Sequence, residues 1–307
     1  VSLSDDGTIL AIGAAGNNGN GNNSGHVRVY EYASGAWSQL GADIDGEAAG
    51  DQASKVSLSG DGTIVAIGSG ANTNANGEGA GHVRVYGYSS GSWLQLGADI
   101  DGEYAYDFSG RAVSLSDDGT VVAIGSEWND GFAFEAGHVR VYGYSSGAWA
   151  QIGADIDGES MGDRSGFGVS LSDDGTIVAI GAYKNTNGNG WQTGHVRVYE
   201  LDSNSTWTQL GADIDGEATY DHFGQSVSLS DDGTILAIGA GQNDGTPYKQ
   251  WVGHVRVYGL SNGSWLQLGA DIDGEATLDH SGSSVSLSDA GTVVAIGSEW
   301  NDGFAFE

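Results

Sequence analysis

The sequence predicts an all-β fold, a β-propeller of four-stranded antiparallel blades with five complete repeats and a partial sixth. Three observations carry this. The motif VSLS recurs at Val1, Val56, Val113, Val169, Val227 and Val285, at spacings of 55, 57, 56, 58 and 58 residues. Each repeat holds four short apolar segments separated by turn-forming residues. The chain has 54 glycines and a single proline, the composition of short strands and tight turns rather than helices. A four-stranded unit with this period buries its faces only against neighbouring units, as a propeller blade does, whereas an open solenoid would repeat its strands at much shorter periods. The 307 residues are therefore read as one repeat array, residues 1–307, rather than two domains.

Within a repeat, the first strand alternates, with Val1 and Leu3 on one face and Ser2 and Ser4 on the other. A tight hairpin follows. Asp6-Gly7, Asp118-Gly119, Asp174-Gly175 and Asp232-Gly233 separate apolar runs and suit the positive φ angles of primed turns. The second strand, such as Ile177 to Ile180, is continuously apolar and reads as buried on both faces. The third, from His26 to Tyr30, sets Val27 and Val29 against His26, Arg28 and Tyr30, and the fourth carries Trp37 and Leu40. Both of these read as outer or edge strands. Val285 to Glu307 repeats Val113 to Glu135 with one change, Asp118 to Ala290, and supplies the first two strands of a sixth blade. The chain is therefore expected to be part of a longer array, or to complete itself by strand pairing with another chain.

Ten basic residues stand against 41 acidic ones, a net charge of −31. Such a field repels nucleic acid and anionic membranes, and its self-repulsion calls for bound cations or a salty medium. With no cysteine there is no disulfide framework, thiolate metal site or thiol chemistry. No apolar run approaches the roughly 18 residues of a membrane span, so no membrane insertion is expected.

Twenty of the acidic residues follow one invariant pattern, ADIDGE with an Asp four residues after the Glu. The sets are Asp43, Asp45, Glu47 and Asp51; Asp99, Asp101, Glu103 and Asp107; Asp155, Asp157, Glu159 and Asp163; Asp213, Asp215, Glu217 and Asp221; and Asp271, Asp273, Glu275 and Asp279. Oxygens converging from alternate residues of a tight loop suit Ca²⁺, which makes these sets candidate calcium ligands. The other reading is that they cap backbone N–H groups in a turn between blades. Arg28, Arg84, Arg140, Arg197 and Arg256 hold one strand position, either as an anion-binding ring or as one salt bridge per blade to a neighbouring acidic segment. His26, His82, His138, His195 and His254 follow the same logic. His222 and His280 each follow an Asp of the acidic pattern and are read as solvent-exposed loop histidines, with a place in a metal site as the alternative.

The stretches between second and third strands vary most, and scaffolds carry function on such loops. Their aromatic residues Trp128, Phe132, Phe134, Trp191, Tyr248 and Trp251 are candidates for stacking on a sugar or entering a partner surface, or else for packing against the next blade. Sequons at Asn22, Asn204 and Asn262 are candidate glycosylation sites. No GxSxG elbow or HExxH motif occurs, and every potential catalytic group recurs with the repeat, so no enzyme activity is expected.

The stretch Asp221 to Ala240, DHFGQSVSLSDDGTILAIGA, resembles the FG-GAP repeat of integrin-type β-propellers, with Phe223-Gly224 and Gly239-Ala240 as its name-giving elements. Other repeats show Ser109-Gly110, Ser165-Gly166 and Ser281-Gly282 at the first pair. The linker Asp215 to Asp221 is similar to the Asp-Gly-x-Ala-x-x-Asp form of bacterial and algal FG-GAP proteins. The resemblance implies a secreted or cell-surface propeller serving adhesion or structure without catalysis, as a building block of a surface layer or filament, with other protein chains or surface glycans as partners. A lectin-like carbohydrate binder is the alternative. The hairpin SDDGT is too short for the family's calcium loop, so that loop's ligands do not carry over.

Overall fold

The computed structural model describes residues 1–244 and 250–300. Among them there is no helix, and the strands form five equivalent sheets and a two-stranded sixth. In blade 2, Lys55–Leu58, Ile64–Ser69, His82–Ser89 and Ser92–Gln95 pair in sequence order, each antiparallel to the next. The first strands line up beside one another around a common cavity of about 460 Å³, whose walls include Val1, Val56, Val113, Val169, Val227 and Val285.

The repeat's residues each answer to a task. The second strand is buried as expected: Val65, Ala66 and Ile67 are at most 2% exposed. In VSLS, the first serine works across the blade boundary, for the Ser57 hydroxyl accepts the Leu115 N–H of the next blade at 3.0 Å. The leucine enters the core, and the second serine closes the hairpin by accepting the Ile9 N–H in blade 1. There Asp6 Oδ1 accepts from Ser4 Oγ, Thr8 N and Thr8 Oγ1, all within 2.8 Å. Of the turn's residues only Gly7 has positive φ, at 68°. The hairpin is thus a tight turn followed by a left-handed glycine rather than a primed turn, because the Asp6 carboxylate already satisfies the N–H groups of that conformation.

The third strand is not an edge. Val83 and Val85 are buried, and His82–Ser89 pairs with the second strand on one side and with two segments on the other: Ser92–Gln95 and, after an irregular Leu-Gly-Ala-Asp step, Ile100–Asp101. The acidic segment is therefore an extension of the outer strand and carries its carboxylates along the blade's rim. Of the third and fourth strands, only the fourth is an edge. Its tryptophan leans on the preceding blade: the Nε1–H groups of Trp93, Trp149, Trp207 and Trp265 donate to Leu40, Leu96, Ile152 and Leu210 carbonyls at 2.8–2.9 Å.

Blades meet most closely at glycine. A Cβ on Gly181 would lie 1.9 Å from the Gly224 carbonyl oxygen, and the same contact recurs between Gly68 and Gly110, Gly125 and Gly166, and Gly239 and Gly282. The second glycine of each pair has φ near +90°. The two elements of the repeat motif are thus the two halves of one contact, made by adjacent blades. Gly181→Ala should cost about 1–3 kcal/mol, the usual penalty of forcing a methyl into a packed site, measured by denaturant unfolding. Gly188→Ala, where a Cβ meets nothing within 4 Å, should change stability by no more than about 0.5 kcal/mol. Equal effects at the two positions would contradict the packing argument.

Candidate functional site

The acidic segments do not form four-carboxylate cages; their members separate into different roles. The last aspartate caps its own turn, with Asp51, Asp107, Asp163, Asp221 and Asp279 each accepting the N–H three residues earlier, at 2.8–3.1 Å. Asp107 and Asp163 also accept from Asn129 and Asn185. Burial raises the carboxyls of Asp107, Asp163 and Asp221, the last to about 6. The second aspartate lies on the short outer segment, where Asp101 and Asp215 accept from Asn74 and Asn187 of the variable loops. The capping reading thus holds for the last aspartate of each set. Among the described residues, the acidic groups that do converge draw their members from two blades.

At the four boundaries between complete blades the glutamate of one blade meets the histidine and first aspartate of the next. The groups are Glu47, His82 and Asp99; Glu103, His138 and Asp155; Glu159, His195 and Asp213; and Glu217, His254 and Asp271. The arginine two residues after each histidine reaches back as well. Arg84, Arg140 and Arg197 lie 3.3–3.5 Å from Glu47, Glu103 and Glu159, and Arg256 pairs with Glu217. Arg84 also donates to the Asp45 carbonyl at 3.2 Å. These arginines are cross-blade salt bridges, not an anion-binding ring. Arg28, at the first blade, pairs instead with Asp43 of its own blade at 2.8 Å.

A second acidic constellation, at the opposite end of the blades, escapes the sequence pattern. The first Asp of each hairpin, Asp5, Asp117, Asp173, Asp231 and Asp289, faces the axis; Gly60 takes the place in blade 2. Backbone bonds link them in series, from Asp5 N to Gly60 O, Gly60 N to Asp117 O, and on through Asp173 and Asp231 to Asp289, all at 2.9–3.0 Å. A Cβ on Gly60 would fall 1.6 Å from Asp117 Oδ1 and 2.3 Å from Asp5 Oδ2, so these two carboxyls close over the glycine. Burial and the neighbouring carboxylates raise Asp5 to about 6 and Asp173 to about 7.

The variable loops and the inter-blade linkers share one end of the array, joined by bonds such as Tyr106 N to Glu78 O and Tyr220 N to Trp191 O. Their apolar side chains are displayed there: Tyr104, Tyr106, Phe132, Phe134, Met161, Trp191, Tyr220, Trp251 and Leu278 are 45–71% exposed. Trp128 is different. The Arg164 guanidinium stacks on its ring at 3.3 Å and Glu127 accepts its Nε1–H, so it packs inside the blade boundary and leaves the candidate contact set. Tyr248 lies outside the described residues. His222 is a buried residue bonded to Gln192 Oε1 at 3.3 Å and set edge-on to Tyr183, and His280 packs on the Trp251 ring; neither belongs to a cross-blade group. Asn22, Asn204 and Asn262 lie at the surface.

The axial carboxyls yield a pH prediction. A carboxyl raised in the folded state binds its proton more tightly there than in the unfolded chain, so its contribution opposes folding as pH rises from the unfolded value near 3.8 to about 7. Asp173→Asn removes that contribution. The variant should gain stability relative to the parent progressively between pH 4 and 7, hold the gain above pH 7, and match the parent's pH slope below pH 4. Parallel curves of melting temperature against pH would show that Asp173 titrates normally.

Comparisons place the fold. Residues 212–256 match the FG-GAP repeat family model. No curated protein sequence matches the chain. Among solved structures, Kuenenia stuttgartiensis hydrazine synthase is similar with a TM-score of 0.60 at 15% identity, over 98% of this chain and 83% of that one. A putative 6-phosphogluconolactonase from Bacteroides uniformis gives 0.53 at 12% identity, over 96% and 87%. TolB from Acinetobacter baumannii gives 0.51 at 12% identity over 90% of this chain, which spans 54% of the TolB chain. At these identities the likeness is one of fold, that of the β-propeller. Residues 212–256 thus carry an FG-GAP repeat, and the matched segment is one copy of the unit repeated from Val1 onward in a β-propeller.

Proposed function

We propose that the chain is a non-enzymatic binding and scaffolding propeller of the cell surface or extracellular space, engaging other protein chains through the end that bears its variable loops. The observation that carries this is the segregation of exposed apolar side chains. Phe132, Phe134, Met161 and Trp191 are 58–71% exposed, and they come from the loops and linkers of two successive blades. Rigid aromatic side chains on a fixed scaffold are the groups that anchor protein interfaces, since they offer contact area at small entropic cost. The axial cavity supports the non-enzymatic reading, since valine, glycine, alanine and serine make up most of its lining. The FG-GAP repeats support a surface location. A carbohydrate-binding role is the second reading, favoured by Trp191 and Trp251, whose exposed rings occupy corresponding loops of blades 4 and 5.

Sedimentation velocity over a concentration series, alongside a glycan array, separates the two. Phe132→Ser with Phe134→Ser should leave the melting temperature nearly unchanged and weaken self-association. Under the second reading Trp191→Ala and Trp251→Ala abolish array binding instead. If neither assay registers binding that these substitutions reduce, the loop-bearing end is not a recognition surface.

A further inference from the structure

We propose that the blade boundaries are binding sites for a first-row divalent transition-metal ion of the zinc type, held by the glutamate of one blade and the histidine and aspartate of the next. The boundary between blades 1 and 2 shows the argument. His82 is 1% exposed, yet neither of its ring nitrogens makes a hydrogen bond: Nε2 is buried without a partner, and Nδ1 faces two carboxylates beyond hydrogen-bond reach. Nδ1 lies 3.6 Å from Asp99 Oδ2 and 3.9 Å from Glu47 Oε2. A buried imidazole ordinarily secures a partner at about 2.9 Å, so this geometry calls for something between the three groups. Ligands about 2.0–2.2 Å from a tetrahedral ion stand roughly 3.3–3.5 Å apart, a few tenths of an ångström closer than these atoms are.

The remaining oxygens are already held in the manner of outer-shell supports. Gln95 Nε2 donates to Asp99 Oδ1 at 2.6 Å, which leaves Oδ2 for the histidine side. Arg84 Nη1 lies 3.5 Å from Glu47 Oε1, which leaves Oε2. Each carboxylate thus has one oxygen anchored and the other turned towards the imidazole, as orienting partners leave a ligand in metal sites. A nitrogen donor with two carboxylates selects zinc-type ions over calcium, whose ligands are oxygens.

The boundaries centred on His138 and His195 gather the same residues more loosely, with Nδ1 at 3.7 Å from Asp155 and 3.9 Å from Asp213 and the ligand atoms within 4.8 Å of one another, Gln151 and Gln209 on the aspartates and Arg140 and Arg197 on the glutamates. At the fourth boundary Arg256 bonds both oxygens of Asp271 and must turn away before an ion enters, so this site binds more weakly. His26 of blade 1 belongs to no such group.

The test is metal titration of the full chain after chelator treatment and dialysis, read by calorimetry with ZnCl₂ and by visible absorption with CoCl₂. Three tight equivalents and a weaker fourth are expected, with a rise in melting temperature that CaCl₂ and MgCl₂ at matched ionic strength do not reproduce. Glu103→Gln with Asp155→Asn, both partly exposed side chains, should lower the tight stoichiometry from three to two. Gln151→Ala should weaken one site about tenfold while leaving the other two unchanged. The inference is overturned by an unchanged stoichiometry in the double variant, by equal responses to zinc and calcium, or by the absence of cobalt absorption bands.

Discussion

The close approach of paired glycines from adjacent blades is the contact on which the rest of this molecule depends. With the Gly224 carbonyl seated where a side chain on Gly181 would stand, two sheets come together at backbone distance. Everything else at the boundary requires that spacing: the serine of one inner strand reaching the leucine N–H of the next, the tryptophan of one outer strand reaching the carbonyl of the previous one, and the histidine, glutamate and arginine meeting between them. A single blade has both faces apolar and nothing of its own to cover them. Its stability is therefore a property of neighbouring pairs, as in other repeat arrays.

The charge distribution follows from the same geometry. Net charge −31 would oppose compaction if spread evenly, but acidic groups are gathered at two levels, the boundaries near the loop-bearing end and the axis near the hairpins. At the boundaries four of the ten basic residues offset them, and Arg28 offsets Asp43 within its own blade. At the axis no basic residue joins the carboxyls among the described residues, and raised proton affinity does the work of a counter-charge. The hairpin end thus holds carboxyls with raised proton affinity, while the loop-bearing end combines paired charges at the boundaries with exposed aromatic side chains.

Much of the fold is legible in the sequence, because strand patterning and hairpin chemistry are local. The period of VSLS and the buried second strand stand in the structure as read, and Asp-Gly marks the hairpin of each complete blade, though as a tight turn with a left-handed glycine rather than a primed turn. The third strand's place inside the sheet was not legible, since Arg28 and Tyr30 resemble an exposed face until a neighbouring blade covers their counterparts. The candidate sites were less legible for a similar reason. The spacing of Glu47 and Asp51 suggests one loop and one ion, whereas the fold sends Glu47 to the next blade and folds Asp51 back on its own turn. The axial carboxyls looked like ordinary turn residues. Their signal was Gly60, the one blade where the hairpin's first Asp is missing and two neighbouring carboxyls fill the space.

Native-state hydrogen exchange tests the dependence on blade boundaries most directly. The amides of Leu115, Leu171 and Leu229 donate to serines of the preceding blade, while those of Val122, Val178 and Leu236 lie on second strands, paired within their own sheets. If neighbouring blades hold one another in place, both sets exchange with the same free energy, that of cooperative opening. If the boundary amides exchange through a separate, cheaper opening while the sheet amides stay protected, the blades are stable alone and the account is wrong.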